Sequence, residues 1–254
     1  MKPIVIIAAV RPEIELLEKA LEHSGRVKSG GFEYVEGTIG NLRVVACAGG
    51  IGKVNAAAAA AVMIDRYQPQ LVINTGCAGA YLGSGLAIGN LVVASEEVLA
   101  DDGVAVADGW KDLRYMNLPS VEQGGMSCYN LLPLSRHASE KAMQLADYYG
   151  VPLLRGRSAT VSTCSGSCES GAVLSERWNA VMENMEGAAV AQICLRCGID
   201  CLEIRGISNM VEERDLKRWD IPRAVEAAQR FVLKYLEEMD RPDIVPVLKP
   251  VPEL

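Results

Sequence analysis

Four residues of this chain have types and placements suited to chemistry: Glu13, Glu186, Arg205 and Asn209. A pair of carboxylates can activate a water and hold sugar hydroxyls while positive character develops on the ring, the division of labour used in glycoside hydrolysis. Arg205 and Asn209 follow the apolar run Cys201-Leu202-Glu203-Ile204. There an arginine could hold a water or an anion, and an amide could bond a purine edge. A plainer account stands beside each. Both glutamates fall in the first turn of a predicted helix, where an acidic side chain meets the macrodipole favourably. From spacing alone that account is the stronger one. A strand-end polar pair closing a loop is likewise the simpler reading of Arg205 and Asn209.

Other motifs carry less. Gly49-Gly50-Ile51-Gly52 precedes a helix but lacks the register of a dinucleotide fingerprint, and Gly52-Lys53 is followed by valine, which excludes a P-loop. Tight turning and close helix–strand packing are the expected roles of these glycines. Cys194, Cys197 and Cys201 have metal-like spacing, as does the pair Cys164 and Cys168. Their surroundings are apolar, so they read as small buried hydrophobes, and neither a metal nor another cofactor is expected. His23 and His137 read as exposed helical residues without a catalytic role.

The elements that must position the four residues alternate. Ile4 to Ala9 reads as a strand buried on both faces and Pro12 to Leu21 as a helix with Pro12 at its first position. Tyr34 to Ile39 and Leu42 to Ala48 form a hairpin about Gly40-Asn41. Lys53 to Tyr67 is an alanine-rich helix, and Leu71 to Thr75 is a strand that ends in Gly76-Cys77-Ala78-Gly79. Further strands are predicted at Asn90 to Ser95, Leu153 to Ser162 and Cys201 to Ser208. Helices are predicted at Ser135 to Tyr149, Glu186 to Cys197 and Ile221 to Met239. Asp101 to Asn130 has no period and reads as a long excursion that could cover a site. The expected fold class is α/β: a single domain over residues 1–240, with a central mixed twisted sheet flanked by helices, followed by a proline-rich tail at 241–254. Ligands of such sheets gather beyond the carboxyl ends of the strands, which points to the segments around Glu13, Thr75 to Gly79, Thr163 to Gly166 and Arg205 to Asn209.

The bulk properties limit the partners. The chain has 254 residues, half of them hydrophobic, and a formal net charge of −7. That charge argues against a general grip on nucleic acid or anionic membrane. The opening apolar run stops at Arg11-Pro12-Glu13 and is too short for a signal peptide or a span. Eight cysteines in an unexported chain read as reduced thiols. A cytoplasmic enzyme is the expectation.

Four segments in order then resemble the nucleoside phosphorylase and nucleosidase superfamily. They are Ile6 to Glu13, Val72-Ile73-Asn74-Thr75-Gly76-Cys77-Ala78-Gly79, Glu183-Asn184-Met185-Glu186-Gly187-Ala188-Ala189, and Arg205-Gly206-Ile207-Ser208-Asn209. The resemblance implies that Glu13 activates water, that Arg205 lies near that water, and that Met185 and Glu186 hold the ribose. It places Asn209 against the purine, with Cys77, Ala78, Gly79 and Thr163 as further substrate contacts. It also implies a homo-oligomer. Phosphorylases of this superfamily carry a phosphate-binding arginine where this chain has Asn74, so hydrolysis is expected. Asparagine at 209, followed by Arg214-Asp215 and Trp219, is similar to the futalosine hydrolase family of menaquinone biosynthesis, which releases hypoxanthine. Methylthioadenosine and adenosylhomocysteine nucleosidases carry aspartate at 209, and they, with an aminofutalosine nucleosidase, are the alternative. A cationic or aromatic group of the 101–130 excursion could receive the aryl carboxylate of futalosine; Arg114 is one candidate, beside the plainer reading of a solvated loop arginine. A non-catalytic nucleoside-binding module is disfavoured by the presence of Glu13, Glu186 and Arg205 together.

Overall fold

The computed structural model describes residues 2–240, so the proline-rich tail at 241–254 lies outside the described residues. The chain opens with β1 (Ile4–Ala8), buried along its whole length, a 3₁₀ turn at Arg11–Glu13, and α1 (Glu15–Ala20). The single helix expected from Pro12 to Leu21 is therefore broken at Ile14, and Glu13 is not in an α-helix. Three antiparallel strands follow in sequence, β2 (Glu22–Ser29), β3 (Phe32–Ile39) and β4 (Leu42–Ala48), with β4 parallel to β1. His23 lies in β2 in the left-handed region (φ 50°), not in a helix.

The alanine-rich helix α2 (Lys53–Tyr67) has the predicted bounds. Its small side chains let it sit close: a Cβ on Gly49 would stand 2.7 Å from Cβ of Ala59. Then come β5 (Leu71–Tyr81) and β6 (Leu91–Leu99). The excursion after β6 is built of two small hairpins, β7 (Gly103–Val106) with β8 (Gly109–Asp112) and β9 (Val121–Gln123) with β10 (Met126–Cys128), before β11 (Leu131–Pro133) rejoins β6. The remainder runs α3 (Arg136–Tyr149), β12 (Leu153–Thr160), α4 (Cys168–Trp178), β13 (Ala180–Asn184), α5 (Gly187–Cys197), β14 (Cys201–Val211) and α6 (Ile221–Asp240).

The result is a single α/β domain around a mixed ten-stranded sheet. Residues of β1 alternate between two cores. Ile4 and Ile6 pack with residues of α1, α3 and α6, whereas Val5 and Ile7 pack with residues of α2 and α5. Strand β14 fills the slot between β5, to which it is parallel, and β6, to which it is antiparallel. The pairings β6–β12–β13–β5–β14–β6 return to their start, so five strands close on themselves. Small residues fill the narrow space they share, Ala78, Ala80 and Ala94 beside Met182 and Ile207. Closure also explains why β5 and β14 overrun their predicted ends. Gly79 and Ala80 pair with β13, and Asn209 to Val211 stay paired with β5 after a bulge at Ile207/Asn209.

Candidate active site

Strand β1 delivers Glu13. Pro12 favours the tight turn at Arg11–Glu13, and the Glu13 carboxylate folds back on it. Its Oε2 accepts from the N–H groups of Ala9 (3.0 Å) and Val10 (3.1 Å), and its Oε1 from that of Cys77 (3.0 Å). Gly76 of β5 makes the approach possible. With φ of 151° and no side chain, it leaves room where a Cβ would meet Glu13 Oε1 at 2.6 Å and Arg205 Nη1 at 2.9 Å. The turn is fixed from the far end of the chain by Gln229 of α6, whose Nε2 donates to Pro12 O (3.1 Å) and whose Oε1 accepts from Leu16 N (2.8 Å).

The turn from β13 to α5 delivers Glu186. Asn184 caps this helix: its Oδ1 accepts from the N–H groups of Glu186 (2.8 Å) and Gly187 (2.7 Å). The Glu186 side chain makes no cap bond of its own and is free to turn toward α2, where its Oε1 accepts from Gly52 N (2.9 Å). The glycine run before α2 thus serves its expected tight turn and also holds the Glu186 carboxylate. Burial raises the Glu186 carboxyl above the ordinary range, and the guanidinium of Arg205 opposes that rise. The helix-dipole reading gives way for Glu13, which lies outside any α-helix, whereas Glu186 stands at the N-cap of α5 and there combines that placement with its bond to Gly52.

Arg205 is 1% exposed and lies just beneath the cavity surface, with its Nη1 and Glu13 Oε1 meeting the same vacant Cβ position of Gly76. It braces from behind. Its Nε donates to Glu203 Oε1 (2.7 Å), its Nη1 reaches Cys77 O (3.4 Å) and Glu186 Oε2 (3.7 Å), and its Nη2 donates to Asn184 Oδ1 (3.4 Å). Burial works against its charge, but Glu203, Glu186 and Glu13 outweigh burial and raise its pKa.

These groups floor a cavity of about 370 Å³. Of the expected contacts, Glu13, Cys77, Ala78, Gly79, Met185, Glu186 and Asn209 line it. Burial pushes the Cys77 thiol up to about 12, with the Glu13 carboxylate adding to the rise, so it stays a neutral wall and not a nucleophile. Thr163 is not among the lining residues; the neighbouring Cys164 and Ser165 are. The reason is Glu183, which draws the loop inward two residues later by accepting from Ser165 N (2.8 Å) and Ser165 Oγ (2.7 Å). Nor does the 101–130 excursion reach the cavity. Arg114 stacks over Tyr129 instead (4.5 Å), and the cation that lines the cavity is Arg214, 4.8 Å over the Trp219 ring. Asn74 is buried away from the cavity, and neither of its amide atoms has a partner among the described residues.

Asn209 presents its amide edgewise. Its Oδ1 accepts from Ser208 Oγ (2.9 Å) and its Nδ2 donates to Met210 O (3.0 Å), which leaves one amide hydrogen free. The roles of Glu183, Asn184, Glu97 and Glu203 were missed from the sequence. Each is an ionisable or amide residue inside a strand otherwise apolar enough to be buried, and that pattern was the available signal. The sulfur spacing builds no site: Cys194 and Cys201 are buried and Cys197 is exposed, and among the described residues no group of three His, Cys, Asp or Glu could hold a metal. No described helix is long and apolar enough to cross a membrane.

Comparison with known proteins fits this geometry. The model of the phosphorylase superfamily matches residues 3–237. A 5'-methylthioadenosine/S-adenosylhomocysteine nucleosidase of Bacillus thuringiensis (strain Al Hakam) is 28% identical over 239 residues, covering 93% of this chain and 99% of its own. The structure of such a nucleosidase from Colwellia psychrerythraea 34H, in complex with adenine, aligns with a TM-score of 0.80 at 26% identity, over 93% of this chain and 95% of that one. A futalosine hydrolase mutant of Helicobacter pylori strain 26695 aligns with a TM-score of 0.81 at 25% identity, over 94% and 100%.

Proposed function

The chain belongs to the phosphorylase superfamily, and from that premise we propose that it cleaves the N-ribosidic bond of a purine nucleoside with water as nucleophile. The observation that carries this is the pair of carboxylates, Glu13 and Glu186, on the floor of one cavity with Arg205 behind both. Water held by Glu13 attacks C1′ as the bond from C1′ to the purine nitrogen breaks. The bonding pair leaves with the purine, the proton of the attacking water passes to Glu13, and the purine takes up a proton from a second, solvent water, whose hydroxide is neutralised by the proton that Glu13 returns to solvent. Glu186 holds the ribose hydroxyls while positive character develops on the ring. An amide is a poor acid, so Asn209 stabilises the leaving base by donating a hydrogen bond and not a proton.

Futalosine is the substrate this reading favours. The free hydrogen of the Asn209 amide suits a 6-oxopurine, whose N7 and O6 both accept. Arg214 on Trp219 offers a cation for an anionic substituent. The second reading, a methylthioadenosine or adenosylhomocysteine nucleosidase, is favoured by the names of similar proteins such as that of Bacillus thuringiensis. Incubation with futalosine, methylthioadenosine and inosine, each with and without phosphate, separates the readings. Hypoxanthine released from futalosine, at a rate indifferent to phosphate and with no sugar phosphate formed, is the expected result. Adenine from methylthioadenosine as the preferred product would support the second reading, and phosphate-dependent formation of a sugar 1-phosphate would overturn hydrolysis.

A further inference from the structure

Behind Arg205 lies a second pair of carboxylates that takes no part in the mechanism above. Glu97 of β6 and Glu203 of β14 are both 0% exposed. Their oxygens converge beneath Gly187, where a Cβ would meet Glu97 Oε1 at 2.2 Å and Glu203 Oε2 at 2.4 Å, and one amide, Asn184 Nδ2, reaches both carboxylates, at 2.8 Å to Glu97 Oε1 and 3.3 Å to Glu203 Oε1. The surroundings supply donors to three of the four oxygens. Thr160 Oγ1 donates to Glu97 Oε2 (2.6 Å), Asn184 Nδ2 to Glu97 Oε1 (2.8 Å), and Arg205 Nε to Glu203 Oε1 (2.7 Å). The fourth oxygen, Glu203 Oε2, has no partner among the described residues and faces Glu97. Two facing carboxylates in a dry layer cannot both ionise, and an acceptor left bare there is costly. One proton between them answers both problems. It resides on Glu97, because Glu203 is the one that touches the guanidinium.

We propose that Glu97 and Glu203 share a single proton and act together as positioning residues for the cavity carboxylates. Ionised Glu203 fixes Arg205, which braces Glu186 and the Cys77 carbonyl. Neutral Glu97 fixes the Asn184 amide, whose carbonyl oxygen sets the turn that carries Glu186. Burial first, and then the charge of Glu203, raise the Glu97 carboxyl well above the ordinary range, in accord with this arrangement. Among the described residues, the other ionisable groups near the pair are Arg205 and Cys201 on β14, Cys194 on α5 and Tyr81 on β5, with Glu13 and Glu186 beyond Arg205 on the cavity side. The thiol of Cys201 is itself raised by its hydrogen bond with Cys194 and by burial, so it contributes no charge.

The kinetic half of this proposal rests on the hydrolase reading; the protonation half does not. Infrared difference spectra of protein carrying ¹³C-labelled glutamate, at neutral pH, should contain the carbonyl stretch of a neutral carboxylic acid, and E97Q should abolish it. In kinetics, E97Q should keep most of the activity that E97L loses, because its amide repeats the donor of the neutral acid. E203Q should lower kcat roughly ten- to a hundredfold, the scale for losing a charged hydrogen bond. It should also move the acid limb of the pH–rate profile to lower pH, because Arg205 then acts on Glu186 without its own counter-charge. Absence of the neutral-acid band, its survival in E97Q, equal activities of E97Q and E97L, or an unmoved acid limb in E203Q would overturn the proposal. Should the wild type cleave no nucleoside, the hydrolase reading fails and the infrared comparison still decides the pair.

Discussion

On the cavity side of Arg205, the carboxylates of Glu13 and Glu186 are held by backbone N–H groups from three separate segments; behind it, those of Glu97 and Glu203 are met by side chains and face each other. Backbone donors have fixed positions and cannot titrate, so they preserve an acceptor in one place and leave its outer lone pairs for water and hydroxyls. The rear pair has no such fixed support. It meets its bonding requirement with a proton and with one guanidinium, and its effect is felt only through what those groups touch. Four glutamates thus divide between the floor of the cavity and the layer behind it.

The sharpest way to test that division is at Glu13. Glu13→Gln should cut turnover by roughly two to four orders of magnitude, the usual range for a general base. It should also destabilise the fold by about 1–3 kcal/mol, because either orientation of the amide turns a donor toward the N–H of Ala9 and Val10 or of Cys77. Single-turnover rates and a urea titration on the same preparation read both effects. Full activity would return Glu13 to a purely structural role.

Next in size is the base reader. Asn209→Asp should lower kcat/KM on futalosine relative to aminofutalosine by roughly ten- to a hundredfold, since an ionised carboxylate repels O6 and N7 of a 6-oxopurine. A ratio that does not change would move base selection to the Cys164-Ser165 backbone.

The smallest effect distinguishes the rear pair by stability alone. Glu97 is raised well above its ordinary value of 4.5, so the folded chain holds a proton that the unfolded chain releases. Stability from this group is fully present below that ordinary value and is lost as pH rises through the folded one, at up to about 1.4 kcal/mol per pH unit. Glu97→Gln has no proton to lose. The stability of wild type relative to this variant should therefore fall steadily as pH rises above the ordinary carboxylate range. A difference that is flat with pH would mean that Glu97 is ionised, like an isolated surface acid.

The frame of the fold was legible where local pattern and packing agree. Helix α2 has the bounds its alanines and flanking glycines imply, and β1, β3, β4 and β6 are all found at the predicted apolar runs. Legibility failed where tertiary contacts set the element. Strand β13 reads as mixed because Glu183 and Asn184 are polar, yet both are buried, since Tyr81, Ser165 and Ser158 meet them. Helix α4 has small and polar residues with Gly171 against Val211, so it lacks an apolar stripe. Strand β2 is an exposed edge of polar residues. In the site the pattern placed the residues that touch the cavity but not their supports. Thr163 was named for want of knowing that Glu183 pulls Ser165 inward, and Arg114 for want of knowing that its loop folds away.

The order in which the chain is made bears on when the cavity exists. The slot between β5 and β6 stays open until β14, near the end of the described chain, enters it, and the turn that aims Glu13 is pinned only when Gln229 of α6 docks. A ribosome-bound chain that has already released its first two hundred residues therefore carries the apolar faces of all the other strands of the sheet and no assembled cavity. Contacts of such long sequence separation make for slow closure. The cavity therefore has no complete frame until β14 and α6 have emerged, and until then the unfilled sheet edges are the surfaces that a chaperone would find.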